Sequence, residues 1–458
     1  MIEKLRDFPA VEELLQHPEL KMYVSVLPQP AAAAIIRDVV GAQKSIFKKA
    51  SVPLPKEKLI QILKSSLIAA KRQEITRVIN ATGIVIHTNL GRAPLSDELF
   101  ESVKKSVTGY CNIEFNLADG KRGQRGEAAE KYLALLSGAE SATIVNNCAA
   151  ALFLMLNTFA NRKEVLLSRG EMIQIGGGFR IPDILKKSGA KLCEIGTTNI
   201  TNLNDYDSNI NESKTGLILK VHQSNFVQGG FTEEVSLKDL VALGNKYKLP
   251  VINDLGSGVF INTREAIGID EMTVIQSVRS GAELTSFSGD KMLGGIQAGL
   301  IVGKSEYIKR IKRNPLFRTM RVDKVVFSAL ERLLSYYLAN DYEQNIKLWS
   351  IIKIPESVLY KRGKDILKNI KNNSGIALEA TKSFMGGGSL PEAEMPSVGL
   401  LFSSEFNAGL LTKKFRELPL PILGRVENEQ FILDLKTVDE DDLPYLIDSI
   451  NKIISDVK

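Results

Sequence analysis

Lys291 stands in TSFSGDKMLGGIQAG, residues 285–299, directly after a short apolar run and among Ser286, Ser288, Gly289, Gly294, Gly295 and Gly299. That setting suits a lysine that forms an imine with a carbonyl cofactor. Such a lysine attacks as the neutral amine. Lowering its pKa by about three pH units costs ~4 kcal/mol of differential interaction, which a dry pocket and a bound cofactor supply. Neighbouring hydroxyls and glycines suit a phosphate, because Ser side chains and backbone N–H groups converge on its oxygens. The other reading of the stretch is a surface lysine after a loop. Asp254 ends the apolar run of VINDLGSG, 37 residues upstream. A buried carboxylate there needs a cationic partner such as a pyridinium nitrogen to stay ionised, although an Asp at a strand end is also a common turn or helix cap. In TIVNNCAAALFLML, residues 143–156, Asn146, Asn147 and Cys148 open an apolar helix. Free N–H groups and the helix dipole favour an anion there, and Ala149 and Ala150 permit close approach; a plain Asn N-cap is the other reading. GLIVGKS, residues 299–305, has the outline of a nucleotide phosphate loop, but Ala298 occupies the position of its required first glycine.

These residues need a scaffold of strand ends. ATIVNN, EVLLSRG, KLCEIG, TGLILKVH, PVINDLGSG, AELTSFSGDK and AGLIVGK are short, Val/Ile-rich runs separated by helical stretches. That alternation predicts βαβ units and a mostly parallel sheet buried on both faces, with polar residues at its active edge. Before it, apolar periodicity predicts helices over Val11 to Leu15, Ala31 to Phe47 and Leu59 to Ile68, with Pro28, Pro30, Pro53 and Pro55 at the joints. After residue 305 come basic helical segments, a long helix from about Val322 to Leu338 that links domains, and a small α+β domain closing with a helix from Leu443 to Ile454. The domain expectation is residues 1–75 helical, 76–330 a large cofactor-binding domain, and 331–458 the linker helix and small domain.

The chain has 458 residues, 44% apolar and 24% charged, a soluble globular composition with room for two or three domains. No apolar leader and no apolar run of membrane-spanning length occurs, so a cytoplasmic location is expected. Cys111, Cys148 and Cys193 form no C-x-x-C pair and read as reduced, mostly buried thiols. His17, His87 and His222 are scattered, so no metal site is expected. Residues 1–80 carry 13 Lys/Arg against 8 Asp/Glu, most of the chain's net +6. Such a localised surplus fits a nucleic-acid contact or a solvated face about equally.

Strand and phosphate-cup helix, then an Asp at a strand end, then a lysine after Ser: this order resembles fold-type I pyridoxal-phosphate enzymes, the aspartate-aminotransferase-like α/β fold. INATGIVIHTNLGRAPLS, the GKRGQRG loop, IGGGFRIPDI, SFSGDKMLGGIQAG, FRTMRVDK and PILGRVENEQFILDL resemble, over almost the whole chain, the bacterial selenocysteine synthases, the L-seryl-tRNA(Sec) selenium transferases. The resemblance implies a pyridoxal 5'-phosphate enzyme that converts seryl-tRNA(Sec) to selenocysteinyl-tRNA(Sec) with selenophosphate, by β-elimination of water and addition of selenium to an aminoacrylate. It implies that Lys291 holds the cofactor and Asp290 assists catalysis. Asp254, Asn146, Asn147, Cys148, Ser288 and His222 are the remaining cofactor-binding candidates. His222 and Ser224 are candidates for hydrogen bonds to the cofactor or structural residues, and Gln174 is a candidate for stacking on its ring. Arg92, Arg125, Arg318 and Arg321 are implied to line the substrate pocket, where guanidinium groups grip phosphate oxygens through paired donors. Without the resemblance, each arginine reads as a surface ion pair. The helical module would grip the tRNA body, and the family assembles as a ring of ten subunits. No membrane or DNA partner is expected.

Two other readings compete. One is a fold-type I β-eliminating lyase or cysteine desulfurase acting on a free amino acid; a desulfurase needs a mobile-loop cysteine, and no cysteine follows residue 200. The other is a non-catalytic tRNA-binding scaffold, which intact Lys291 and Asp254 oppose.

Overall fold

The chain divides into two compact units, Met1–Val78 and Ile79–Lys458. A computed structural model describes residues 1–50, 52–175, 178–223, 226, 228–388, 390 and 393–457. The first unit is all helix: α1 (Val11–Leu15), α2 (Pro18–Ser25), α3 (Gln29–Ala50) and α4 (Lys56–Arg72). Helix α2 was not expected from periodicity. Pro18 opens it, and His17 Nδ1 accepts from the Glu19 backbone N–H at 3.3 Å, so the local capping chemistry carries a helix too short to show an apolar stripe. Leu14, Leu20, Ile36, Leu59, Leu63 and Leu67 form this unit's core, while Lys48, Lys49, Lys56, Lys58, Lys71 and Arg72 are exposed.

The second unit is built on a seven-stranded sheet. Its strands are β1 (Ser141–Val145), β2 (Glu164–Ser168), β3 (Lys191–Ile195), β4 (Thr215–Val221), β5 (Val251–Gly256), β6 (Leu284–Ser288) and β7 (Gly299–Gly303). All seven fall in the apolar runs read from the sequence. Their spatial order is β1-β7-β6-β5-β4-β2-β3, with β7 alone antiparallel to its neighbours. Alternate residues feed two cores: Leu300 and Val302 pack with Ile144 and Phe287 on one face, and Ile301 packs with Val145 and Leu284 on the other. A sheet covered on both faces explains the nearly continuous apolar runs.

A second, four-stranded antiparallel sheet has the order β8 (Ile376–Phe384), β9 (Glu394–Phe402), β11 (Gln430–Asp434), β10 (Arg425–Glu427). Phe402, Phe406, Phe415 and Phe431 pack together in its core. The long helix spans Lys324–Leu338 and buries Phe327, Leu330, Leu333, Leu334 and Tyr337 in the core that contains Phe287 and Leu300. The last helix is Leu443–Val457. No described helix is long and apolar enough to cross a membrane, and no group of three or more His, Cys, Asp or Glu able to hold a metal occurs among the described residues.

Candidate functional site

Because β5 and β6 run parallel, their carboxyl ends place Asp254 and the Ser288–Lys291 turn on one sheet edge; Asp254 and Ser286 are directly paired in register. Lys291 is buried, 7% exposed. A side chain at Gly256 would lie 3.6 Å from its Nζ, and one at Gly388 would lie 3.2 Å from both its Cε and Nζ. The amine therefore lies beside two glycines, of which Gly388 is the one where a side chain would crowd it. Burial lowers the Lys291 pKa, outweighing the neighbouring Cys148 and Asp254, and the nearby Arg92 charge lowers it further. The neutral amine needed for imine formation is favoured.

Asp254 is partly buried, and desolvation pushes its carboxyl above the usual carboxylate range. Opposing that, Ser286 Oγ donates to Asp254 Oδ1 at 2.8 Å and Cys148 Sγ approaches the same oxygen at 3.4 Å. Both donors meet Oδ1. Ser286 was grouped with the hydroxyls suited to a phosphate and Cys148 with the phosphate-cup residues; the side chains of both instead point at Asp254. Asn147 Oδ1 caps the helix Cys148–Ala160 by accepting from the Ala150 N–H at 2.8 Å. Asn146 is exposed, and its N–H donates to the Met320 carbonyl at 3.0 Å. Ser288, 6% exposed, lies beside the Cys148 thiol. The three cysteines are free and only partly buried, less enclosed than expected.

The His222 N–H donates to the Asp254 carbonyl at 3.0 Å, which sets the imidazole at the same edge. His222 Nε2 lies 3.5 Å from Oε2 of Glu271, a residue only 5% exposed that sequence reasoning missed. His222 Nδ1, Glu271 Oε1 and Ser257 Oγ are buried without partners. Ser224 lies outside the described residues, as do Gly176 and Gly177 of the IGGGFRIPDI segment. Gln174 is exposed and accepts from Arg180 Nε at 2.7 Å.

Asp290, 5% exposed, accepts from Arg92 Nη1 at 2.7 Å through Oδ2, while its Oδ1 is buried without a partner. Arg92 has φ +67°, a left-handed backbone that costs a non-glycine residue roughly 1 kcal/mol or more, and its N–H donates to the His87 carbonyl at 3.0 Å. Arg125 Nη1 pairs with Glu114 Oε1 at 2.9 Å, and Arg321 Nη1 lies 3.9 Å from the same oxygen. The GKRGQRG and FRTMRVDK segments thus meet over a carboxylate that the motifs did not include. Arg318 is exposed in the 3-10 helix Pro315–Met320, whose last carbonyl is the one bound by Asn146.

The donor set fits pyridoxal phosphate: a depressed lysine amine beside two glycines, a carboxylate one strand away, and a capped helix start with a nearby serine for an anion. The β1-β7-β6-β5-β4-β2-β3 order with its reversed seventh strand is that of the fold-type I pyridoxal-phosphate-dependent fold. The structure of D-glucosaminate-6-phosphate ammonia-lyase shares the fold, with TM-score 0.60 and 18% identity, over 85% of this chain and 98% of that one. Residues 78–439 match the L-seryl-tRNA selenium transferase family. The L-seryl-tRNA(Sec) selenium transferase of Aquifex aeolicus (strain VF5) is 45% identical over 388 residues, 84% of this chain and 85% of its own length. That of Campylobacter fetus subsp. fetus (strain 82-40) is 41% identical over 452 residues, 98% and 99% of the two chains. The chain belongs to the L-seryl-tRNA selenium transferase family.

Proposed function

We propose that this enzyme converts L-seryl-tRNA(Sec) to L-selenocysteinyl-tRNA(Sec), with pyridoxal phosphate held by Lys291 and selenophosphate as selenium donor. The carrying observation is the buried Lys291 amine, lowered in pKa and sharing one sheet edge with Asp254. When bound, the cofactor supplies an electron sink that labilises the serine α-proton and β-hydroxyl. Asp254 would hold the ring nitrogen protonated, and Ser286 and Cys148 orient that carboxylate through Oδ1. Asn146, Asn147, the Cys148 N–H and Ser288 would receive the phosphate, and His222 would hydrogen-bond the cofactor. Lys291 moves the α-proton. Asp290 aligns Arg92 through Oδ2, and its unpartnered Oδ1 accepts a hydrogen bond from the seryl group. Arg92, Arg125, Arg318 and Arg321 bind the selenium donor, whose negative charge suits guanidinium donors.

Residues 1–75 form the tRNA-binding module in this reading, residues 76–330 the catalytic domain, and residues 331–458 the linker helix and small domain. The exposed lysines of α3 and α4 favour contact with an RNA backbone read by shape, with steep salt dependence. The protein acts in the cytoplasm, where charged tRNA is used, and assembles as a decamer. The test supplies seryl-tRNA(Sec), seryl-tRNA(Ser) and free serine, each with selenophosphate, and measures selenium incorporation. Turnover is expected only with the first, and equal turnover with free serine would refute the proposal.

A further inference from the structure

Glu114 lies outside every motif discussed above, yet it occupies the middle of the arginine cluster. Its Oε1 accepts from Arg125 Nη1 at 2.9 Å and faces Arg321 Nη1 at 3.9 Å, and its Oε2 accepts from Arg122 Nη2 at 3.0 Å. The residue is fixed across a hairpin, because its carbonyl accepts from the Gly123 N–H at 3.0 Å and Phe115–Asn116 pairs with Lys121–Arg122. The nearby guanidinium groups, Arg125 first, hold its carboxyl below the usual range, so the anion is the species present at neutral pH. Arg125 Nε, by contrast, is buried with no partner. One donor of that guanidinium is therefore occupied by the chain's own carboxylate while another has nothing to bind.

We infer that Glu114 is a built-in counter-anion of the selenium-donor site, displaced when a multiply charged phosphate-type anion enters, and that it sets which anions the site accepts. The inference rests on the assignment of Arg125 and Arg321 to the donor pocket. Three guanidinium groups sharing one carboxylate carry two uncompensated positive charges. With no anion bound, the carboxylate relieves their mutual repulsion and keeps them convergent. An incoming anion must outbid it. A monoanion exchanges one charge for one and gains little, whereas a tetrahedral di- or trianion offers more charge and several acceptors, including one for Arg125 Nε. The side chains are partly open to water, with Glu114 27%, Arg125 30% and Arg321 32% exposed, which makes the exchange reversible. The result is discrimination by charge, obtained at the expense of affinity.

The test measures holoenzyme of wild type, Glu114→Gln and Arg125→Ala by titration with inorganic phosphate and by the KM for selenophosphate. In Glu114→Gln the phosphate dissociation constant and the selenophosphate KM are each expected to fall about three- to ten-fold, and binding of monoanionic nitrate is expected to become measurable. The KM for seryl-tRNA(Sec) and the visible band of the bound cofactor are expected to stay as in wild type. A merely structural Glu114 would give the opposite sign, so unchanged or weaker phosphate binding overturns the inference. Arg125→Ala separates the two claims. If it binds phosphate as wild type does, the donor-pocket assignment itself fails; if it binds more weakly while Glu114→Gln is no tighter, only the counter-anion role fails. Should Glu114→Gln not fold, Glu114→Asp keeps the charge but withdraws it by one methylene. A tightening of about two-fold is then expected, and no tightening overturns the inference.

Discussion

In the proposed reaction, the wall around Lys291 and the cluster around Glu114 would serve two steps in contrasting ways. The first is made from strand ends. Ser286 is fully buried, Ser288 and Lys291 nearly so, and the Asp254 carboxylate is held through a single oxygen by two donors. The second is made from a hairpin, a loop and a 3-10 helix, with arginines that keep about a third or more of their surface in water. A covalently held cofactor requires permanent geometry and a low dielectric, which tunes the amine. A donor anion that arrives and leaves at each turnover requires charges that are aligned beforehand but not sealed. Burial tunes the one and mutual ion pairing tunes the other.

Substitutions can break this contrast or sharpen it. Lys291→Ala is expected to abolish the visible absorbance of the bound cofactor and to lower turnover by roughly 10⁴-fold or more; absorbance scans after reconstitution and borohydride treatment check this, and a retained band would end the distinction at its root. Asp254→Ala is expected to lower kcat by about 10²–10³-fold, measured as selenium incorporation at saturating seryl-tRNA, with the cofactor still attached. Arg321→Ala is expected to raise the selenophosphate KM by about ten-fold or more and to leave the visible band in place. A changed band in that variant would mean that the two regions are electrostatically one. Ser286→Ala removes one donor from Asp254 and is expected to cost kcat about three- to ten-fold, with the pH titration of the visible band displaced in the same variant.

The smallest effect concerns stability. Burial raises the Asp254 carboxyl, so the stability it contributes is present below the ordinary carboxylate pKa and is lost as pH rises through the folded value. Asp254→Asn keeps an acceptor for Ser286 and removes the buried charge. The cofactor-free variant is therefore expected to melt about 1–2 °C higher than wild type at pH 7 and at the same temperature near pH 4. Calorimetry across that window checks the sign.

The strands of the large sheet were legible because a doubly covered sheet demands apolar runs of strand length, and each of the seven runs became one strand. Their spatial order was not, since nothing in an isolated run such as AGLIVGK marks it as the antiparallel strand between β1 and β6. The chemistry of Lys291 and Asp254 could be argued from residue type and position at strand ends. Glu114 and Glu271 were missed because an acid carries meaning only from what it faces, and their partners lie 8 to 49 positions away or beyond. Glu114 does have a faint signal in its separation from Arg122 and Arg125 by 8 and 11 positions. That the side chains of Ser286 and Cys148 meet at Asp254 was not legible, because adjacency in the chain is visible in a sequence and side-chain direction is not.

A side chain at Gly388 would crowd the end of Lys291, and one at Gly386 would collide with the Ile86 carbonyl, so the segment leaving β8 runs close beside the lysine. The reactive nitrogen is thereby wired to the folding of a sheet that contributes none of the cofactor ligands proposed. In the cofactor-free protein, loosening of that sheet would open the nitrogen to water and to acylating reagents, so labelling of this one side chain would report on the carboxyl-terminal fold.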